Sequence, residues 1–304
     1  MKNKHSTILL LMVLGVSLAL AGCGGGSKTT VTTKPASTTP ASGTTRQTTT
    51  AATTIALEKE VVVTFECPEL ERLVRTELKI ESEPITSTDM LKLKRIRPNG
   101  KSVSSLVGLE YAKNLDDFGI LNNKVELDSL EPISQLTSLT RILVSYSTVS
   151  KPVQFGKLDK VTYLNFTDTN ISDISSLKNL PSIQDLTLSD CGISNISALT
   201  GMKGLTRVYL RSNKITSLEA LKGKSEVESL NIQDNQVSDI SPLADMPRLA
   251  TAILSYNPIT NLKPLEDLPN LKELTIYQDH DVKHLIFDQV AILEAKGIEV
   301  LYHK

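Results

Sequence analysis

The sequence predicts an α/β solenoid, in which a parallel β-sheet forms one face of a stack of similar coils. Apolar residues recur with a period of 22 residues over most of the chain, which indicates a repeated structural unit. Within each unit, apolar residues two apart are typical of a short strand with one buried face. After the strand, apolar residues three apart match a 3₁₀ segment, because about eleven residues leave little room for a helix and its loops.

Residues 1–22 have the pattern of a bacterial lipoprotein signal peptide. Lys2 and Lys4 precede an apolar run from Ile8 to Leu20, which is shorter than a bilayer span. The Leu-Ala-Gly-Cys sequence that follows resembles a lipobox, which implies cleavage before Cys23 and a lipid on its thiol. The alternative is an ordinary secretory signal followed by a chance cysteine. A lipid on Cys23 would hold the protein on the extracytoplasmic side of a membrane.

Residues 23–57 contain the lipidated cysteine and a tether. From Ser27 to Ile55, 16 of 29 residues are Ser or Thr, and none is acidic. This composition cannot build a core and predicts a flexible linker with a root-mean-square reach of about 30 Å. Without residues 1–55 the chain keeps 28 basic and 34 acidic residues, so the folded part is mildly acidic.

Residues 58–95 are expected to form an N-terminal helical cap. Pro68 suits the first position of a helix, and Thr86 with Asp89 resembles a capping box before a second, shorter helix. The first helix would bury one apolar stripe, formed by Leu70, Leu73, Val74 and Leu78.

Residues 96–281 contain the repeats, each with one strand. The central apolar residues of the strands are Ile96, Phe118, Ile142, Leu164, Leu186, Val208, Leu230, Ala252 and Leu274. The unit reads L-x-x-L-x-L-x-x-N-x-I, and we number its positions 1 to 11. Because one unit cannot bury its own apolar face, the coils must stack with their strands parallel.

Position 9 of the repeat carries an asparagine in four units. These residues are Asn123, Asn213, Asn235 and Asn257. An inward amide at this point can bond backbone groups that would otherwise be buried without partners where the chain leaves the strand. We therefore interpret the asparagine row as structural.

Residues 282–304 read as a C-terminal cap. Phe287 to Ala295 fit a helix that ends at Gly297, and Ile298 to Leu301 could add a strand that closes the edge of the sheet.

The repeat resembles that of leucine-rich repeat proteins, and its length is that of the short class found in internalins and related bacterial surface proteins. The resemblance covers the chain from about residue 60 onward. It implies a parallel sheet on the concave face, a narrow 3₁₀-rich convex side, an N-terminal helical cap and a C-terminal helix-strand cap. Because the sequence shows neither an immunoglobulin-like domain nor a sorting motif after the repeats, the resemblance by itself does not imply host-cell adhesion or invasion, and an adhesin and an envelope-assembly protein stay open as alternatives.

Positions 3, 5 and 7 point outward from the strands and form what we call the outward face, expected to be concave. Its 27 positions hold five of the eight Arg of the folded part and none of its 20 Lys. Enrichment in Arg and Tyr with loss of Lys is typical of protein-binding surfaces, although strand propensity alone would explain the Tyr. The candidate ligand-binding residues, including one from the adjacent position 8, are Arg141, Tyr163, Asp185, Arg207, Tyr209, Arg211, Ile253, Tyr256 and Tyr277.

Other reactive residues have simpler structural interpretations. Cys191 falls at position 9, where a small thiol packs well, and no histidine is expected nearby to act as its base. A disulfide to Cys67 is not expected, because about 19 Å separates the first strand from the fifth. His280, Asp281 and His284 lie where the repeats end, and we interpret them as a polar turn rather than a metal site.

These observations predict a non-catalytic, membrane-anchored recognition protein of the bacterial cell envelope that binds an extracellular protein or peptide on the outward face. The alternative is a carbohydrate or cell-wall polymer on the same face, against which the absence of Trp weighs. The 33 basic and 34 acidic residues argue against nucleic acid as a partner. We predict no catalytic residue, cofactor or metal site, and a monomeric protein.

Overall fold

The computed structural model describes residues 59–277 and 286–302. The described residues belong to one compact unit and include ten parallel strands in chain order, β1 to β10. This architecture confirms the predicted solenoid. The signal peptide with Cys23, the tether, and the triplet His280, Asp281 and His284 lie outside the described residues.

The strands pair in the register that the repeat predicts. Phe118 pairs with Ile142 across the one 24-residue step, and Leu164 lies between Ile142 and Leu186. The strand bounds are β1 Arg95–Ile96, β2 Asp117–Leu121, β3 Arg141–Ser147, β4 Tyr163–Thr169, β5 Asp185–Ser189, β6 Arg207–Tyr209, β7 Ser229–Asn231, β8 Thr251–Ile253, β9 Glu273–Thr275 and β10 Glu299–Leu301.

The return side of the stack is built from short 3₁₀ segments, as predicted. They span Leu109–Tyr111, Glu131–Ile133, Ser175–Asn179, Ser197–Leu199, Glu219–Leu221, Ser241–Leu243 and Lys263–Leu265. The return from β3 to β4 differs, because residues 150–161 contain no 3₁₀ turn. There Phe155 is buried and stacks on Phe166 of β4, with ring centroids 6.4 Å apart. An aromatic pair therefore fills the space that a turn fills elsewhere.

The core is one continuous apolar column between the sheet and the return side. The central apolar residues of the nine repeat strands are at most 5% exposed. On the return side, residues three apart such as Ile174, Leu177 and Leu180 are buried in the same column. Each coil thus covers the apolar face of the next, which a single coil could not do alone.

Two helices cover the N-terminal end of the column. Helix α1 spans Pro68–Leu78 and buries Leu70 and Val74, and helix α2 spans Ser87–Met90. The predicted capping box of α2 is present, since Thr86 Oγ1 accepts from the Asp89 N–H at 3.2 Å and Asp89 Oδ2 accepts from the Thr86 N–H at 3.1 Å. The hydrogen bond from Lys92 and those from Thr86 lower the pKa of Asp89 to about 2.

The C-terminal end is covered by helix α3, Phe287–Ala295, and by β10, which pairs with β9. Gly297 follows the helix with φ +86°, a left-handed conformation that suits glycine. Within the described part of the chain, no helix is both long and apolar enough to span a membrane.

Each asparagine of the row joins its own coil to the preceding one. The Asn235 amide donates to Leu210 O at 2.9 Å in the coil before and to Ile232 O at 3.0 Å in its own coil. Its Oδ1 accepts from the Ile215 N–H at 3.0 Å. Asn213 and Asn257 repeat this pattern. The row therefore acts as a ladder of amides between coils, buried at Asn235 and Asn257 and partly buried at Asn123 and Asn213.

Asn170 serves the same purpose in a repeat whose position 9 has no amide. Its Oδ1 accepts from the Val149 N–H and its Nδ2 donates to Val149 O, both at 2.9 Å. The repeat pattern does not reveal this role, because Asn170 stands one position after Thr169. This role could have been predicted from the sequence, because Asn170 directly follows a position 9 that has no asparagine.

Candidate functional site

The outward face is ordered by the parallel register. Arg141, Tyr163, Asp185 and Arg207 occupy position 3 in β3 to β6 and lie side by side across the four strands. Neighbouring strands in a sheet are about 4.8 Å apart, so adjacent members of this row are within contact distance. The structure therefore brings the first group of candidate residues together.

Arg141 packs on an aromatic ring rather than on a carboxylate. Its guanidinium carbon lies 4.0 Å from the centroid of the Tyr163 ring, which is a cation–π contact. Its Nε is buried and has no hydrogen-bond partner. Within the described residues Arg141 forms no ion pair, and Asp117, its neighbour in register on β2, is paired with Arg95 and Arg97 instead.

Arg207 and Asp185 form an ion pair across β5 and β6. Arg207 Nη2 lies 2.6 Å from Asp185 Oδ2, and this hydrogen bond raises the pKa of the guanidinium. The Arg207 side chain remains 52% exposed. Arg207 can still offer contact area to a ligand, but its charge is already paired.

Tyr209 is the last residue of β6, and Arg211 follows just beyond the strand at position 7 of the same coil. The Ser229 hydroxyl lies 3.4 Å from the Tyr209 oxygen, and both Tyr209 and Arg211 are partly exposed. Arg211 Nε is buried without a hydrogen-bond partner, as in Arg141. Arg211 lies near Asp190, whose pKa is raised by burial and by the carboxylates of neighbouring coils, an effect that the Arg211 charge opposes.

The second group of candidate residues meets at the ends of β8 and β9. The Tyr256 N–H donates to Tyr277 O at 2.8 Å, and the Tyr277 N–H donates to the Ser255 hydroxyl at 2.9 Å. Ile253 is partly exposed on β8, and Tyr256 is 43% exposed. This second group is more apolar than the first.

Position 8 holds residues in the left-handed conformation, a feature that the apolar periodicity does not predict. Their φ angles lie between 49° and 58°. They are Asn122, Tyr146, Asp168, Asp190, Ser212, Asp234 and Tyr256. Asn and Asp tolerate this conformation, whereas a bulky side chain does so at a cost. The recurrence of Asp, Asn and Ser at position 8 is the sequence feature from which this left-handed conformation could have been predicted.

The N-terminal end of the outward face is occupied by an internal ion cluster. Asp117 is only 4% exposed, although its position was expected to point to solvent. It lies 3.0 Å from Arg95 Nε and 2.5 Å from Arg97 Nη2. A side chain at Gly119 would place its Cβ 3.1 Å from Arg97 Cγ, so glycine leaves room for Arg97 to cross the strand. These two arginines are therefore engaged within the protein.

The cysteines of the described residues are free and buried. Cys191 bonds with the Thr169 hydroxyl at 3.3 Å, and burial raises the pKa of its thiol, which disfavours a reactive thiolate. Across the described residues, no group of three or more His, Cys, Asp or Glu could hold a metal ion.

The comparisons with known proteins agree with this architecture. A family model for leucine-rich repeats in two copies matches residues 181–223. No curated protein matches the sequence significantly.

Solved structures similar to this chain include two internalins from Listeria monocytogenes. Internalin C2 has 23% identity and a TM-score of 0.56, covering 79% of this chain and 94% of its own. A second internalin has 20% identity and a TM-score of 0.58, covering 78% and 75%. A leucine-rich repeat protein from Leptospira interrogans has 18% identity and a TM-score of 0.58, covering 71% of this chain and 56% of its own. These similarities show that the chain has the leucine-rich repeat fold.

Proposed function

We propose that this protein is a non-catalytic recognition protein that binds a protein or peptide on its outward face. The observation that carries the proposal is the block on β3 to β6, where Arg141, Tyr163, Asp185 and Arg207 lie side by side and Tyr209 and Arg211 continue the surface. Arg and Tyr dominate the energetics of protein interfaces, because they combine contact area with directed hydrogen bonds.

The arrangement of this block supports binding over a purely solvating role. A solvated face needs only exposed charge, for which Lys would serve, yet no Lys occupies the 27 outward positions. Within the described residues Arg141 and Arg211 form no ion pair, and Arg141 lies over the Tyr163 ring. Tyrosine loses little side-chain entropy on binding, and the planar guanidinium loses less per hydrogen bond than a lysine would.

Location in the cell envelope is part of the same proposal. The lipobox-like sequence before Cys23 and the Ser/Thr-rich tether support an anchor on the extracytoplasmic side of a membrane. A tether of this length would present the outward face to ligands beyond the lipid headgroups.

The test is a pull-down from an extracellular protein extract with the full chain and with the triple variant Arg207→Ala, Tyr209→Ala, Arg211→Ala. We expect the variant to lose the specifically bound protein, while its melting temperature stays close to that of the wild type, because exposed strand residues contribute little to the core. A matched control is the double variant Lys178→Ala, Ser197→Ala on the return side. Equal capture by the triple variant would move the binding surface elsewhere.

A cell-wall polymer remains the second candidate ligand, favoured by two exposed tyrosines. Tyr146 is 55% and Tyr256 is 43% exposed, and both rings are available for stacking on sugars. Sedimentation with purified wall polymer would distinguish the two. Retention of the wild type, but not of the double variant Tyr146→Ser, Tyr256→Ser, would favour the polymer.

A further inference from the structure

The arginines of the outward face differ in whether the protein neutralises them. Arg95 and Arg97 pair with Asp117, and Arg207 pairs with Asp185. In residues 59–277 and 286–302, Arg141 and Arg211 have no such ion pair. The same two residues carry the buried side-chain nitrogens of the described ranges that lack a hydrogen-bond partner. These buried nitrogens are out of reach of a ligand, but both arginine side chains are only partly buried, so the outer part of each guanidinium can meet an acceptor.

Each of these two arginines stands beside a tyrosine. Arg141 stacks on Tyr163 of the next strand, and Arg211 follows Tyr209 by two residues, just beyond the end of β6. A guanidinium next to a phenol offers a carboxylate both charge and a second hydroxyl donor. We call these two Arg–Tyr pairs half-sites. In the first the arginine stacks on the tyrosine ring, and in the second the two residues are neighbours along the chain.

The distance between the half-sites sets the length of the ligand. β3 and β6 are three strands apart, and Arg211 lies four residues beyond the row that contains Arg141. With about 4.8 Å between strands and 3.3 Å per residue, the two Cα atoms are about 20 Å apart. An extended peptide covers that distance in about six residues. The floor between the half-sites is polar and low, with Asn165 and Thr187 partly exposed.

We infer that the ligand is an acidic peptide segment that crosses β3 to β6 in an extended conformation, with one carboxylate at Arg141 and another at Arg211. This inference rests on the proposed function and names the chemistry of its ligand. Carboxylates are the acceptors that match a guanidinium in geometry and charge. Asp185 does not repel them strongly, because Arg207 already neutralises it.

Acidic residues at position 8 border the site on one side and affect which ligand charges can bind there. Asp168, Asp190 and Asp234 lie beyond Arg211 at the ends of their strands, and their mutual repulsion contributes to the raised pKa of Asp190. A ligand carboxylate at Arg211 is therefore attracted by the guanidinium and repelled by this acidic rim, which lies one position further along the coils. Removing the Asp190 charge should strengthen binding of an acidic ligand and weaken binding of a basic one.

The experiment selects peptides from a random dodecapeptide library on the full chain purified in detergent. We expect the selected peptides to carry two Asp or Glu residues about six apart. Their affinities, measured by fluorescence anisotropy, should fall about tenfold with Arg141→Gln or Arg211→Gln, the loss of one charge-assisted hydrogen bond. Asp190→Asn should raise the affinity several-fold. The control Arg248→Gln, which removes an arginine paired with Glu226 outside the outward face, should change nothing.

The possible failures are distinguishable. Selected peptides that lack acidic pairs but lose binding with Tyr209→Ala would overturn the acidic ligand and leave the proposed function standing. Weaker binding with Asp190→Asn would indicate a basic ligand. It would also overturn the acidic ligand without contradicting the proposed function. Absence of any peptide whose binding depends on Tyr209 or Arg211 would overturn both. Melting curves of every variant show whether a loss of binding reflects a loss of fold.

Discussion

At the scale of single residues, buried polar side chains decide how firmly neighbouring coils are joined. Asn235 is 8% exposed and bonds backbone groups of two successive coils. These backbone groups cannot hydrogen-bond to water in the core, so the Asn235 amide is needed to satisfy them. Lys224 is a buried polar side chain with the opposite effect on stability, because it introduces a charge where the other repeats have apolar residues.

Asn235→Leu should lower the free energy of unfolding by about 1 to 3 kcal/mol, the cost of leaving buried backbone groups without partners. Urea unfolding followed by circular dichroism measures this change. The control is Gln236→Leu, an equal gain in apolar character at an exposed neighbour. If the two variants were equally stable, the asparagine row would not be what joins the coils.

Lys224→Met should stabilise the fold by about 1 to 3 kcal/mol at pH 7, because it removes a buried charge. Lys224 is 4% exposed, its ammonium donates to Thr200 O at 2.7 Å, and Met202 and Met246 occupy the equivalent sites. Burial and then Lys203 lower the pKa of Lys224 below 10.5.

The stability gained by Lys224→Met should depend on pH. Between the lowered pKa of folded Lys224 and 10.5, the unfolded chain holds more protons than the folded one, so wild-type stability rises with pH in that window. The advantage of Lys224→Met should therefore shrink as the pH approaches 10.5. Unfolding at pH 7 and at higher pH measures this, with exposed Lys214→Met as the control. An advantage that stays constant would mean that the lysine does not titrate differently in the fold.

At the scale of elements, the caps protect the two open ends of the sheet. Strand edges expose unpaired backbone groups and invite association with other chains. Helices α1 and α2 cover the end that begins with β1, and β10 with α3 covers the end at β9. The strands themselves vary in length, from seven residues in β3 and β4 to three in β6 to β9 and two in β1. The longest strands thus lie at one side of the candidate block.

Thr86→Val should destabilise the N-terminal cap by about 1 kcal/mol at neutral pH, since it removes the hydroxyl of the capping box. It should also raise the pKa of Asp89 from about 2 towards 3.8, although the hydrogen bond from Lys92 remains. A lowered carboxyl pKa gives stability that is present above 3.8 and lost as the pH falls through about 2. The deficit of Thr86→Val should therefore be largest above pH 3.8 and smaller near pH 2.

Carbon-detected NMR of the Asp89 carboxyl and urea unfolding at the two pH values measure these effects. Thr88→Val, at an exposed site in the same helix, is the matched control. An unchanged pKa of Asp89 in Thr86→Val would show that the Thr86 hydroxyl does not set it, and that Lys92 and the backbone N–H of residue 86 do.

At the scale of the whole molecule, the outward face changes in character from one end of the stack to the other. The outward face has paired arginines at its N-terminal end, unpaired arginines with tyrosines in the middle and an apolar tyrosine group towards its C-terminal end. A ligand would meet charge in one region and apolar surface in the next. This division predicts that salt weakens binding at the middle more than at the C-terminal group.

Cys23→Ala should release the protein from membranes or block its processing, because alanine cannot carry a lipid. Fractionation of cells and labelling with a radioactive fatty acid measure both outcomes. Ser27→Ala, a change within the tether, is the control. Normal maturation with continued membrane association would contradict the anchor.

The sequence by itself determined the stacking, the register and the caps of this protein. Burial periodicity is a local property of the chain, so the 22-residue step is enough to align Ile142, Leu164 and Leu186 as neighbours in the sheet. Composition likewise marked the outward face, because its lack of Lys can be counted once the register is known.

Only the tertiary structure decided which charges on that face are free. The partner of each paired arginine on that face lies on a neighbouring coil, about twenty residues away, and more than one arginine can compete for the same carboxylate, as Arg95 and Arg97 do at Asp117. The structure buries Asp117 between Arg95 and Arg97, pairs Arg207 with Asp185, and leaves Arg141 on a tyrosine ring. Side-chain direction and the room left by neighbours such as Gly119 settle that competition, and neither follows from periodicity.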